Sequence, residues 1–535
     1  MTEAMLDTAP VETRRQLQLP LIGVVWVAVA VAFIALRIAP IWHTPVAGAE
    51  LIHLSGAWQA RIGVGDDRFV PTLFQALSAL LLHWSSSDIP ARLLAFAATA
   101  TIPGALYLLR GRLGEAGALL ALILLALDGP GITVGASASA MGFDLAIALW
   151  LFTLTTRQSI PGWLAAVAGF AVATAGPITL PLVAGWAIVH LLRHNYPRPT
   201  MAAWCAGGVV VGVLLATFRF GLGPDGGLRV PPFQLFADSY SQLWSTAIGA
   251  DVTLLYALPV LVAGLAAVVV ALSRMYRDRS AQTDGLVLIV WAGAAAVWWV
   301  SSLNSHTTIP VVALTTPLAV ILGPALVEAT TSMWRADWHY ARWLIPGGLL
   351  LLAVALEVAI DWAQRSSVGP TDEKLAVAGL CVVAVAAFAI VASARESFPA
   401  LFAAVLAIAA FPMLSGAFGV ALSTNGEPIP SPQSSTQARE LRGIALEAVH
   451  DHGGLIVVSA DFKDEVTWPF RDSGSIVVAS RVPPNATFVV WPKDAPAPEG
   501  FAPVNGDWSL QREMHAPTSD FLTYLRWFSN RNVLN

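Results

Sequence analysis

Charge is scarce in this chain: Asp, Glu, Lys and Arg make up 12% of its 535 residues, against 56% apolar ones. Soluble domains carry roughly 25% charged residues, so a water-soluble fold is excluded for most of the length, as the mean hydropathy of +0.65 also indicates. A basic excess is missing too. The net charge of −5 leaves no positive footprint for a phosphate backbone, which excludes nucleic acid as a partner. Cysteine is nearly absent, and the two present, Cys205 and Cys381, sit in apolar runs. They make neither a disulfide framework nor a metal site.

What is there is a series of long apolar runs. The first, Pro20–Ala39, spans about 20 residues, enough to cross a bilayer. It is too long for a signal-peptide core and lacks a small-residue cleavage site, so it reads as a retained anchor. Further runs fall near Pro90–Leu109, Ala116–Ala126, Gly142–Thr155, Pro161–Ala175, Pro177–Leu192 and Met201–Phe218. After a polar stretch come Val252–Ser273, Gly285–Ser302, Thr308–Val327, Leu344–Ile360, Leu375–Ala394 and Leu401–Leu422. The sum is about 13 transmembrane helices. Pro71–Trp84 is too short to cross at about 14 residues and reads as a juxtamembrane helix.

Basic residues orient these spans. Arg14-Arg15, Arg110/Arg112, Arg157, Arg193/Arg198, Arg274/Arg277/Arg279, Arg335/Arg342 and Arg395 fall in alternate short loops, provided that Pro71–Trp84 does not cross. The positive-inside rule makes that side cytoplasmic. Residues 1–19 are then a cytoplasmic segment, 20–422 the transmembrane domain, 423–435 a Pro/Ser-rich linker, and 436–535 an extracytoplasmic domain. In the last, a helical pattern over Gln437–His450 and strand-like runs at Gly454–Val458, Ser475–Val478 and Ala486–Trp491 predict a small α/β fold. It carries no Gly-rich phosphate loop and no nucleophile elbow, so a lid or a docking surface for a protein partner is expected of it.

The first external loop, 40–89, is longer than a connection needs and carries an amphipathic helical pattern over Ala49–Arg61. It puts Glu50 at the mouth of one span, while Asp144 opens another on the same side. Two carboxylates at one membrane face suggest chemistry on a lipid-linked substrate.

The order of parts resembles the GT-C superfamily of polyprenyl-phosphate-dependent glycosyltransferases. It reads Ala49-Glu50, Asp66-Asp67-Arg68, Pro71-Thr72-Leu73-Phe74, Ser87-Asp88-Ile89-Pro90-Ala91-Arg92, Tyr107 to Gly114, and Gly142-Phe143-Asp144. It is most similar to a prokaryotic branch associated with flippase and N-glycosylation functions, related to the dolichyl-phosphate-mannose mannosyltransferases. The tail stretches Thr467-Trp468-Pro469-Phe470-Arg471-Asp472 and Phe521 to Trp527 also look like that branch. Two positions depart from its pattern: Ala49 stands where the family has the Asp of an Asp-Glu pair, and Phe69-Val70-Pro71 replaces His-Gly-Pro.

The resemblance implies a polytopic α-helical GT-C-like membrane protein that moves a sugar from a polyprenyl-phosphate donor on the outer face. Glu50 or Asp144 would act as general base, with His53, one helical turn from Glu50, tuning its proton. Asp66, Asp67 and Arg68, together with Arg229 and His306, would bind substrate, with Arg61 a further candidate for the phosphate. No cofactor is implied. A divalent cation would suit the carboxylates, but no spacing indicates one. The alternative, set by Ala49, is a catalytically degenerate GT-C-like scaffold in a membrane complex. A transporter ranks third, because neither an internal repeat nor charge buried among the spans is visible in the sequence.

Overall fold

The computed structural model describes residues 9–42, 46, 48–62, 73–85, 87–138, 140–156, 160–174, 178–192, 199–220, 257–278, 283–301, 309–334, 413–414, 416–422, 433–434, 436–459, 468–471, 476–502 and 511–512. The anchor is α1, Ala9–Ile38, which runs through a short 3-10 turn into the external stretch. Two helices follow there, α2 (Gly48–Ile62) and α3 (Leu73–Leu81), where the sequence pattern places them. The next span is split into α4 (Ile89–Thr99) and α5 (Ile102–Leu113), each with a proline in its first turn, where no intrahelical N–H is needed. Gly114, at φ 77°, ends α5 and opens α6 (Glu115–Ala126) in a backbone state that side-chain-bearing residues avoid.

The stretch Asp128–Met141, which joins the expected spans Ala116–Ala126 and Gly142–Thr155, is mostly helix. α7 (Gly129–Ala136) is buried along its whole length and leaves α6 at a bend of 70°. Asp128-Gly129-Pro130 looks like a turn locally, but proline in the first helical turn suits a new helix equally well. The chain continues with α8 (Ala140–Thr155), α9 (Gly162–Thr174), α10 (Thr179–Leu192) and α11 (Pro199–Phe220). Then come α12 (Leu258–Asp278), α13 (Thr283–Ser301) and α14 (Ile309–Trp334).

Ile22–Ile41, Ile89–Leu113 and Val311–Thr331 are each long and apolar enough to cross a membrane, and the bent α6–α7 pair is a fourth candidate. Shorter apolar helices, α8 and α9 among them, fill in around these, and the protein is a multi-pass membrane protein. The expected spans Leu344–Ile360 and Leu375–Ala394 lie outside the described residues.

Close helix approach sets the packing of this bundle. α6 crosses α14 where Gly117 faces Pro324, and a Cβ on Gly117 would sit 3.0 Å from the Pro324 backbone. Phe152 and Trp291 meet deep in the core, ring centroids 6.4 Å apart. Outward faces keep large apolar residues such as Val27, Trp163, Trp204 and Val269 exposed, as helices in lipid do.

In the tail, α15 (Thr436–His452) lies on a parallel sheet of β2 (Leu455–Ser459), β3 (Ile476–Ala479) and β4 (Ala486–Val490), in the order β3-β2-β4. The register pairs Val457 with Val477 on one side and with Val489 on the other. Leu441 and Ala445 of the helix close over Ile456, Val458, Phe488 and Val490. β1 (Gln433–Ser434), at the end of the expected linker, pairs antiparallel with β5 (Gln511–Arg512).

Candidate functional site

Three carboxylates collect at one end of the bundle, and each is buried to 3% exposure or less. Glu50 sits in the first turn of α2, where the helix dipole favours an anion. Its Oε1 accepts from Arg92 Nε at 2.6 Å and from the backbone N–H of Ala138 at 2.7 Å, and its Oε2 accepts from a terminal Arg92 nitrogen at 3.0 Å. The other terminal nitrogen of Arg92 donates to the Ile41 carbonyl at 2.7 Å, and Asp88 stands 3.1 Å from Nε. One fork thus ties together the end of the anchor, α2, the start of α4 and the turn between α7 and α8. Bidentate guanidinium–carboxylate pairing of this kind is among the stronger polar contacts.

Asp144 lies in α8 and reaches across to the start of α10. Its Oδ2 accepts from the backbone N–H groups of Ile178 and Thr179, and its Oδ1 from the Thr179 hydroxyl. The first N–H groups of a helix have no partner within it, so Asp144 caps α10 from a neighbouring helix.

The third carboxylate, Asp128, and its companion Arg37 are absent from the sequence-based candidates. Asp128 accepts from the Thr315 hydroxyl of α14 at 3.0 Å. Arg37, near the end of α1, donates to the Leu125 carbonyl at 2.8 Å, one of the carbonyls left over at the end of α6. Its guanidinium stacks 3.5 Å above the Phe33 ring. Glycine makes the site possible: a Cβ at Gly131 would meet Asp128 Oδ2 at 2.7 Å, and one at Gly142 would meet the Val134 carbonyl at 2.7 Å. The bend after α6 is therefore stitched on both sides, by α1 and by α14. The expectation of spans without buried charge is overturned by Arg37, Glu50, Arg92, Asp128 and Asp144. Pairing and capping are what make this burial affordable.

His53 is half-buried on α2, one turn from Glu50, and desolvation pulls its pKa down to about 4. It is neutral at pH 7. Asp66, Asp67, Arg68, Arg229 and His306 lie outside the described residues, and nothing is described of the Arg61 side chain. Among the described residues no three His, Cys, Asp or Glu side chains gather to hold a metal ion.

The opposite end of the bundle is marked by Arg112, at the end of α5, which donates to the Thr156 carbonyl just past α8 at 3.1 Å. Arg92 and Arg112 stand 20 residues apart on one span, about 30 Å at helical rise. Between α9 and α11, towards that second end, lies an open apolar groove of about 690 Å³ lined by Phe170, Thr200, Trp204 and Val211 among others.

The buried Arg92 fork and the Asp128 stitch could have been suspected from sequence. An ionisable residue in or beside a span is costly and marks a site, and Arg37 stands two residues inside the end of the first apolar run. Its partner, 88 residues away at Leu125, could not be read from spacing.

No protein-family model matches the chain, and no curated protein matches it by sequence. Among solved structures it is similar to ArnT from Cupriavidus metallidurans bound to undecaprenyl phosphate, with 14% identity, a TM-score of 0.50 and 84% of each chain covered. ArnT from the same organism in the apo state matches at 12% identity and a TM-score of 0.47, again over 84% of each chain. At these identities the likeness speaks to architecture. The chain has the polytopic GT-C fold, with a small α/β domain after its last span.

Proposed function

We propose that the protein is a membrane glycosyltransferase that takes a sugar from a polyprenyl-phosphate donor on the extracytoplasmic face. The observation that carries this reading is the layer of buried carboxylates and arginines at one end of a bundle whose fold is shared with an undecaprenyl-phosphate-bound protein. Alternating basic loops put that end outside, with the N-terminus in the cytoplasm and the tail domain outside.

In this reading an acceptor hydroxyl attacks the anomeric carbon, the carbon–oxygen bond to the phosphate breaks, and polyprenyl phosphate departs. A single displacement inverts the sugar. Glu50 and Asp144 frame the site rather than take the proton, because releasing either from its partners would strand buried donors. Freeing a buried carboxylate from its guanidinium, as Glu50 would require, costs about 3–5 kcal/mol, which offsets most of the roughly 3–5 kcal/mol that the 10²–10⁴-fold gain of a positioned base represents. The proton falls to Asp66 or Asp67, in the segment that joins α2 to α3, and Arg68 or Arg229 meets the departing phosphate. His306 is the remaining candidate for binding substrate.

Transfer by Asp66→Asn and Asp67→Asn variants, measured beside Glu50→Gln, tests this division of labour. One Asp variant is expected to lose transfer at least 100-fold with an unchanged melting temperature. If both keep full activity, neither is the base.

A second reading is favoured by Ala49 and by the engagement of the three buried carboxylates described at this end. On it the chain is a GT-C scaffold without transfer activity that serves a membrane complex.

A further inference from the structure

Among the described residues, the tail domain joins the buried core of the membrane domain at Trp468. Trp468 is 3% exposed, yet it packs away from the tail's own core. It belongs instead to the buried cluster formed by Leu51, Leu54 and Ala57 of α2, Leu82 after α3, Ala91 of α4 and Ala138 of the α7–α8 turn. Its ring stands edge-on to Trp58, centroids 6.4 Å apart at 83°. Two residues later, Phe470 is fully buried in the other core, among Leu441, Ile456 and Val490 beneath α15. Between them Pro469 fixes its own φ. Arg471 lies 4.0 Å over the Trp468 ring and donates to the Trp468 carbonyl at 2.9 Å. Neighbouring side chains that anchor in two different cores, joined by a proline, tie the tail domain to the bundle at this point.

The cluster that Trp468 joins is as telling as how it is held. Ala138 supplies the N–H that Glu50 accepts at 2.7 Å, and Ala91 precedes Arg92. The tail's anchor therefore shares one packed cluster with the residues on both sides of the Glu50–Arg92 fork.

We infer that Trp468 is a positioning residue for the outer site: the tail domain is a fixed wall of that site, and its Trp468 holds the Ala138 turn and α2 in the register that Glu50 and Arg92 require. The functional half of this inference rests on the glycosyl-transfer reading; the structural half does not.

Hydrogen exchange on the full-length protein in detergent micelles separates the two halves. Trp468→Ala is expected to speed exchange at least tenfold at residues 136–140 and along 50–58. Strands β2 and β4, anchored by Phe470, and the core helices α13 and α14 should stay protected. Trp468→Phe, which keeps an aromatic ring in the slot, should restore most of the protection. Should Trp468→Ala fail to fold, Arg471→Gln, which removes only the guanidinium over the ring, is expected to produce a smaller rise at the same residues. Unchanged exchange at 136–140 in whichever of these variants folds overturns the inference, and so does a rise spread evenly over the whole chain.

In a transfer assay, Trp468→Ala should lose at least tenfold in kcat and Trp468→Phe should recover it. Full kcat in Trp468→Ala, with exchange at 136–140 raised, refutes the positioning role. Absence of transfer in the unmodified protein refutes the glycosyl-transfer reading and leaves the exchange result standing.

Discussion

Removing the guanidinium of Arg92 should expose how the outer end of the bundle is held. In Arg92→Met, Glu50 stays 2% exposed with the Ala138 N–H its remaining described partner, and the Ile41 carbonyl loses its donor. Breaking a buried ion pair from one side costs about 3–5 kcal/mol, and Glu50→Leu, which leaves the arginine to Asp88 and the Ile41 carbonyl, should cost at most the same. If the pair acted as two independent contacts, the double variant would lose about 6–10 kcal/mol. With both charges gone, what remains is two backbone groups without partners, about 1–3 kcal/mol each. The double variant should then be no worse than the poorer single. At roughly 1–2 °C per kcal/mol, scaled to a chain of this size, each single variant should melt about 3–10 °C lower. Intrinsic fluorescence of the 20 tryptophans follows the transition in detergent. The reasoning fails if either single variant melts within 1 °C of the unmodified protein, or if the double variant loses the sum of the two.

Three other outcomes follow from the same contacts. Asp144→Ala should destabilise by about 1–2 kcal/mol through the lost cap and loosen α10 first, visible as faster exchange at residues 178–182; equal exchange there would contradict the capping role. Gly142→Ala should lower folding yield, since its Cβ would meet the Val134 carbonyl at 2.7 Å, whereas Gly111→Ala meets nothing within 4 Å and should melt at or above the original temperature. The third concerns pH: His53, with a folded pKa lowered to about 4, is neutral in the fold, while unfolded it titrates near 6.5. The unfolded chain binds the extra proton between these values, so the contribution of His53 is full above pH 6.5 and is lost as pH falls towards 4. A melting curve against pH should decline over that window and flatten in part in His53→Gln; an unchanged slope in the variant would refute the desolvation of His53.

Periodicity made much of this fold legible. The external helices α2 and α3 and the tail strands follow apolar patterns that the sequence states locally, and the order of spans and loops carried the GT-C resemblance. The break between α6 and α7 was not legible, because Asp128-Gly129-Pro130 serves a turn and a helix start equally well. What decided it was burial against Arg37 and Thr315, both far away in sequence. For Glu50 and Asp144 the sequence placed the carboxylates at one end of the bundle but gave no hint of their partners. Arg92, 42 residues from Glu50, and the start of α10, 34 residues from Asp144, were needed to see a clamp and a cap. Trp468 stood in a tail motif whose meaning emerged only with α2 beside it.

The most direct measurement of the central proposal is transfer by the purified protein in nanodiscs from radiolabelled polyprenyl-phosphate sugars. Glycosyl transfer predicts label moving to an acceptor with inverted configuration, and loss of that transfer in Arg92→Met. A folded protein that transfers no sugar from any donor, and that undecaprenyl phosphate does not stabilise, would contradict it.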